Sequence, residues 1–163
     1  MTGKKKAGQA PRIYLDHNAT TPLHPGVLEA MIPWLRDNFG NASSIHAEGR
    51  AARTAIDRAR SQTARLLSAD AGAVCFTGGG TESNNLAICG VAENRLARGK
   101  NHLITSAVEH PAVLRPMQRL AARGWELTLL PVDSAARVDP EDLRRSIRPG
   151  KTALVSIIAA NNE

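Results

Sequence analysis

The chain has 163 residues, 42% of them hydrophobic, 22% charged and 3% aromatic, with two cysteines and a formal net charge of +6. This is enough apolar chain for one globular domain with a core, and no apolar run approaches the roughly 18 residues that span a membrane. The positive charge raises nucleic acid as a partner, but the basic residues fall on a Lys4, Lys5, Lys6 tail and on helical faces, with few aromatics to stack on bases, so nucleic acid is not expected.

Cys75 and Cys89 form neither a disulfide framework nor a CxxC motif, and both read as packing residues, Cys75 in a buried strand and Cys89 in a helix. With no apolar leader at the N-terminus, a reducing, cytoplasmic setting is expected.

Residues 1–11 read as a disordered basic tail. Arg12 to Leu15 is a short extended run, and Asp16 to Pro22 is a loop dense in Asp, Asn and Thr, which reads either as a structured turn or as a binding loop. Pro25 to Asn38 has helical spacing, with Val27, Met31, Trp34 and Leu35 on one face and Pro33 placed to bend or divide it. Ser43 or Ser44 is suited to cap the next helix, His46 to Leu67, whose stripe of Ala52, Ile56, Ala59, Thr63 and Leu66 allows close packing.

Ala73 to Thr77 then reads as a strand that breaks into Gly78, Gly79 and Gly80 before a helix running from about Thr81 to Arg98 and ending near Gly99. Glycines permit close backbone approach, and the first N–H groups of a helix have no partner within it, so this order favours an anion such as a phosphate. Thr81 adds a hydroxyl that either caps the helix or touches the anion.

Strands follow at His102–Ser106, Glu126–Val132 and Thr152–Ile158, separated by a helix that Gly124 stops and a short helix from Pro140 to Ile147. The last strand is nearly all apolar and is expected to be buried on both faces. Strands alternating with helices imply an α/β fold with a mainly parallel sheet and right-handed crossovers.

Ligands of such sheets bind beyond the carboxyl ends of the strands. That edge carries Gly78 to Thr81, Ala107 to His110, and Asn161 to Glu163. No lysine follows the glycines as a P-loop requires, the GxGxxG pattern is not completed, and neither HExxH nor GxSxG occurs. A small phosphorylated cofactor fits better than ATP or NAD, and no metal site is expected.

The set Tyr14 to Pro22, Phe39-Gly40-Asn41, Phe76 to Asn85, Glu109-His110 and Asn161-Asn162-Glu163 resembles the N-terminal part of the pyridoxal-phosphate-dependent cysteine desulfurases, in the class V aminotransferase group of fold type I. The resemblance implies that residues 12–163 are part of the large cofactor-binding domain, truncated after Asn-Asn-Glu. It implies that Gly80 and Thr81 bind the phosphate of pyridoxal 5'-phosphate, His110 stacks on the ring as the catalytic histidine, and Asn162, or alternatively Asn161, bonds the ring hydroxyl. Asn18 and Ala19 would line the substrate side. Gly78 stands where serine is common and Ala42 where proline is frequent.

The activity implied is conversion of L-cysteine to L-alanine, with sulfur passed to an enzyme persulfide for iron–sulfur clusters or tRNA thiolation, in a homodimer that meets a sulfur acceptor or scaffold protein. The five lysines, Lys4, Lys5, Lys6, Lys100 and Lys151, lie in the tail or before strands, and none has the Ser-x-His-Lys context of the family's Schiff-base lysine. An Asp-x-x-Gln motif and a mobile acceptor cysteine are also missing, so the chain alone is expected to be inactive. Alternatives are another class V enzyme, such as a selenocysteine lyase or an aminotransferase, a non-catalytic partner of a complete desulfurase, and a basic nucleic-acid binder.

Overall fold

The computed structural model describes residues 13–17, 19–96 and 98–161. The chain divides at Cys75/Phe76 into two units. The tail expected over residues 1–11 lies outside the described residues.

In the first unit, α1 (Pro25–Arg36) has Pro25 at its first position, where the missing N–H costs nothing, and His24 at its N-cap, with Nδ1 accepting the Gly26 N–H at 3.2 Å. Pro33 does not divide it: the helix runs on for a further turn and closes when the Asp37 and Asn38 N–H groups both donate to the Pro33 carbonyl at 2.9 Å. Helix α2 (Ala47–Leu66) is capped not by Ser43 or Ser44 but by His46, whose Nδ1 lies 3.4 Å from the Gly49 nitrogen and 2.9 Å from Glu48 Oε2. Ser43 and Ser44 are committed to the preceding turn on Asn41: the Ser43 N–H donates to Oδ1 at 2.9 Å and the Ser44 N–H to the carbonyl at 2.9 Å. That turn presses on α2, because a Cβ added to Gly49 would lie 2.3 Å from the Ser44 carbonyl oxygen. Of the small-residue stripe on α2, Ala52 is buried while Ile56 and Leu66 are exposed.

A 3-10 turn, Ala71–Ala73, follows on Asp70, whose carboxylate accepts the Gly72 N–H at 2.8 Å. The strand expected from Ala73 to Thr77 does not form among the described residues. Val74 is extended and its carbonyl accepts from the Arg60 Nε at 3.3 Å, and the sheet among the described residues holds only the three strands further along the chain. Cys75, expected to be buried there, is exposed.

The second unit is built from α3 (Gly80–Leu96), β1 (His102–Ser106), α4 (Pro111–Ala121), β2 (Glu126–Leu130), α5 (Pro140–Ser146) and β3 (Thr152–Ser156). Gly99 and Gly124 lie at φ +74° and +94°, the left-handed conformation that ends α3 and α4 and turns the chain into β1 and β2. The sheet is parallel in the order β2-β1-β3, with Ile104 opposite Thr128 and Val155.

Central β1 is buried throughout, whereas β3 is half-buried, with Val155 exposed. The last strand is therefore not the doubly buried one expected from its apolar run: β3 is an edge of the described sheet, and the strand buried throughout is β1. Helices α3 and α4 pack on one another and on the sheet through Ile88, Ala92, Leu103, Val113, Met117 and Trp125.

His102 closes the amino-terminal edge of the sheet. It is fully buried, with Nδ1 2.9 Å from Thr152 Oγ1 on β3 and Nε2 2.9 Å from Thr128 Oγ1 on β2. Thr152 Oγ1 also accepts the Arg148 N–H at 2.8 Å. Burial, then the positive charge of Arg148, holds this imidazole below the usual histidine range, with Glu126 opposing and Lys151 adding to the depression.

Candidate functional site

The site is assembled at the start of α3 and the start of α4. At α3, the first helical bond runs from the Ser83 N–H to the Gly79 carbonyl at 3.0 Å, so the N–H groups of Gly80, Thr81 and Glu82 have no acceptor within the helix. The Glu82 carboxylate folds back to accept the Gly78 N–H at 2.7 Å, and Thr77 Oγ1 sits 2.6 Å from Ser83 Oγ. These contacts tie the glycine loop to the first turn of α3. The side chain that ties down this turn is Glu82, and Thr81 is exposed.

A Cβ added to Gly79 or Gly80 meets nothing within 4 Å, and neither residue has a positive φ. The chain's own packing and backbone therefore do not require glycine at these two positions, whereas a ligand lying against the backbone would.

At α4, His110 is the N-cap, its Nδ1 accepting the Ala112 N–H at 3.0 Å. That bond puts Nδ1 in the acceptor role and directs the proton of the neutral ring to Nε2. The capping bond uses only Nδ1, and His110 remains exposed as a residue and lines a concavity.

Thr81 and His110 line the same concavity of about 410 Å³, together with Asn85, Ala112, Arg115 and Arg119. A second concavity of about 520 Å³ lies over Gly78, Gly79, Gly80 and Thr81 and again reaches Asn85. Asn85 is held by its Nδ2, which donates to the Thr81 carbonyl at 2.9 Å. Its place on both concavities follows from helical spacing, one turn beyond Thr81, although sequence reasoning singled out only the glycines and Thr81.

A larger concavity of about 550 Å³ lies between β2 and α5. It is lined by Asp133, Asp139 and Asp142, and the Asp133 carboxyl is held below the usual range by the Arg137 N–H and guanidinium. Its polar wall also carries Arg137, paired with Asp133, and is acidic on balance, which suits a phosphate less well than the α3 start does.

Ala19 lies in the first unit, in a turn closed by its N–H on the Asp16 carbonyl at 3.2 Å. Asn18 and Asn162 lie outside the described residues. Asn161 donates from Nδ2 to the Val108 carbonyl at 2.7 Å. Lys100 and Lys151 lie before β1 and β3, at the edge opposite His110: Lys100 Nζ donates to the Thr152 carbonyl at 3.5 Å and Lys151 Nζ is 3.8 Å from Glu126 Oε1. Several arginines are engaged with carboxylates, as Arg53 and Arg60 are with Asp57 on α2. No group of side chains able to hold a metal ion occurs among the described residues, and no described helix is long and apolar enough to cross a membrane.

A three-stranded parallel sheet, flanked by helices and carrying a glycine turn at a helix start beside a capping histidine, defines an α/β class of protein. Residues 13–163 match the family model described as aminotransferase class-V, and the chain belongs to that family. Among curated relatives it is 53% identical over 151 residues to the cysteine desulfurase IscS of Dictyoglomus turgidum, covering 93% of this chain and 38% of that protein. It is 46% identical to a cysteine desulfurase of Homo sapiens, covering 93% of this chain and 33% of that one. The solved structure of a NifS-like protein superposes with a TM-score of 0.88 at 40% identity, over 94% of this chain and 42% of that one. SspA, solved in complex with cysteine, gives 0.84 at 42% identity, over 92% and 43%. The chain thus spans well under half the length of these relatives.

Proposed function

We propose that this chain is the phosphate- and ring-binding part of a cysteine desulfurase that works with pyridoxal 5'-phosphate. The observation that carries the reading is the single concavity bordered by Thr81 at the start of α3 and His110 at the start of α4. Unpaired N–H groups and the positive end of the α3 dipole favour a phosphate dianion at Gly80 and Thr81, while the exposed face of His110 offers a flat partner to a pyridine ring. The residues therefore fit the group, and the two concavities together leave room for it.

When bound, pyridoxal phosphate supplies the electron sink that such chemistry needs. The chain's own part is positional. The α3 amides and Thr81 hydroxyl hold the phosphate, and the bond from Ala112 to His110 Nδ1 fixes the imidazole and leaves its proton on Nε2. We assign Asn162 to the ring hydroxyl and Asn18 and Ala19 to the substrate side.

The substrate proposed is L-cysteine, whose sulfur would pass to an acceptor cysteine thiol of the whole enzyme as that thiol's persulfide, with C–S cleavage leaving L-alanine, and from there to iron–sulfur cluster assembly. The whole enzyme is proposed to be a cytoplasmic homodimer, with residues 12–163 forming part of its large domain. Neither Lys100 nor Lys151 lies on the His110 side of the sheet, so this chain by itself is proposed to hold the cofactor without covalent attachment and without turnover. Alanine production from cysteine and pyridoxal phosphate tests this: a rate equal to that of free cofactor is expected, and a clearly faster one would contradict it.

A further inference from the structure

At the carboxyl edge of the sheet the ladder between β1 and β3 stops at Thr105 opposite Ser156. Beyond it, side chains take over. Thr105 Oγ1 donates to the Ser156 carbonyl at 2.9 Å. The side chain of Glu109 is buried, 8% exposed, and its Oε1 accepts both the Ile158 N–H at 2.5 Å and the Ser106 hydroxyl at 3.3 Å. One residue earlier, the Val108 carbonyl accepts from Asn161 Nδ2 at 2.7 Å. Two bonds with sequence separations of 49 and 53 therefore join the loop after β1 to the segment after β3.

We propose that Glu109 is a positioning residue: its buried carboxylate locks the loop carrying His110 to the segment carrying Asn161, and so sets the ring side of the site independently of the phosphate cradle on α3. The inference rests on the cofactor reading above for its consequence, but the lock itself rests on the hydrogen bonds. Glu109 has no place on either concavity at the cradle. It acts through His110, the next residue, whose own Nδ1 is spent on the α4 cap. A carboxylate does here what the next rung of the ladder would do, supplying an acceptor to a partly buried N–H that would otherwise have none. What matters is reach and acceptor geometry. Glutamine keeps both, while aspartate keeps the charge and loses the reach.

The test compares the 163-residue chain with Glu109→Gln and Glu109→Asp, titrating each with pyridoxal 5'-phosphate and with inorganic phosphate, and following amide exchange at Ile158. Loss of the buried bond from the Ile158 N–H predicts exchange at Ile158 about tenfold faster in Glu109→Asp, which no longer reaches it, and unchanged in Glu109→Gln, whose amide oxygen still accepts it. Pyridoxal phosphate should bind Glu109→Asp several-fold more weakly and Glu109→Gln as the parent, with inorganic phosphate equal in all three.

Glu109→Gln failing as badly as Glu109→Asp would overturn the proposal in favour of a role for the charge. Parallel loss of inorganic phosphate binding would overturn it in favour of a general structural role, as would parent-like behaviour of Glu109→Asp in favour of none. If the parent chain binds pyridoxal phosphate no better than inorganic phosphate, the cofactor reading fails, and Ile158 exchange in the two variants still decides whether the lock exists.

Discussion

The buried His102 gives the second unit a dependence on acid whose sign and ceiling can be worked out. The ring is sealed between Thr128 and Thr152, and Thr152 Oγ1 already accepts from the Arg148 backbone. The simplest complete arrangement has the Thr152 hydroxyl donating to Nδ1 and Nε2–H donating to Thr128. A second proton on the ring would turn Nδ1 into a donor, strand the Thr152 hydroxyl hydrogen and place a buried positive charge near Arg148 and Lys151, with Glu126 the compensating charge.

In the unfolded chain a histidine titrates near 6.5, and in the folded chain His102 lies lower, so the unfolded chain binds more protons between those two values. Stability is complete above the unfolded value and falls as pH drops through that window, by at most about 1.4 kcal/mol per pH unit. Between pH 7.5 and 5.5 the opening free energy read from exchange of the Leu103 and Ile104 amides, corrected for intrinsic rates, should fall by up to about 1.4 kcal/mol. His102→Gln keeps a neutral donor and acceptor and should abolish that fall whatever it does to stability at pH 7.5. An acid loss of the same size in His102→Gln would refute the assignment and place the titrating group elsewhere.

Two glycines should respond in opposite directions. Gly49→Ala drives a Cβ onto the Ser44 and Asn41 carbonyls and should cost about 1–3 kcal/mol in a urea titration. Gly80→Ala places its Cβ in open space at the first helical position and should stabilise by about 0.4–1 kcal/mol. Met117→Ala empties a fully buried position in the core under α3 and α4, and a loss of about 2–5 kcal/mol is expected from the same titration.

Helices and strands with a periodic or apolar signature were legible in the sequence to within a residue or two, because Gly99, Gly124, Pro111 and Pro140 punctuate them chemically. What failed depended on neighbours. The run at Ala73 to Thr77 has strand composition, but composition does not supply a ladder, and β3 looks like a core strand although its place at the edge of this sheet leaves it half-exposed. The caps on α1, α2 and α4 come from His24, His46 and His110, a residue type outside the usual capping set.

At the candidate site, the glycine turn, Thr81 and His110 were readable from order alone. Glu109 was not, because its partner, the Ile158 N–H, is fixed only by the register of two strands. The one signal for it was an acid beside His110 in a loop that follows a buried strand. His102 could have been noticed as a histidine opening an apolar strand, flanked in the other two strands by Thr128 and Thr152.

The central claim, that the starts of α3 and α4 together receive pyridoxal 5'-phosphate, is tested most directly by mapping amide shift changes over the chain as that compound is added. Changes concentrated at Gly79 to Glu82 and at His110 to Ala112 are expected, with inorganic phosphate reproducing only the first group. Changes confined to other surfaces, such as the acidic hollow around Asp133 and Asp139, or no changes at either helix start, would contradict it.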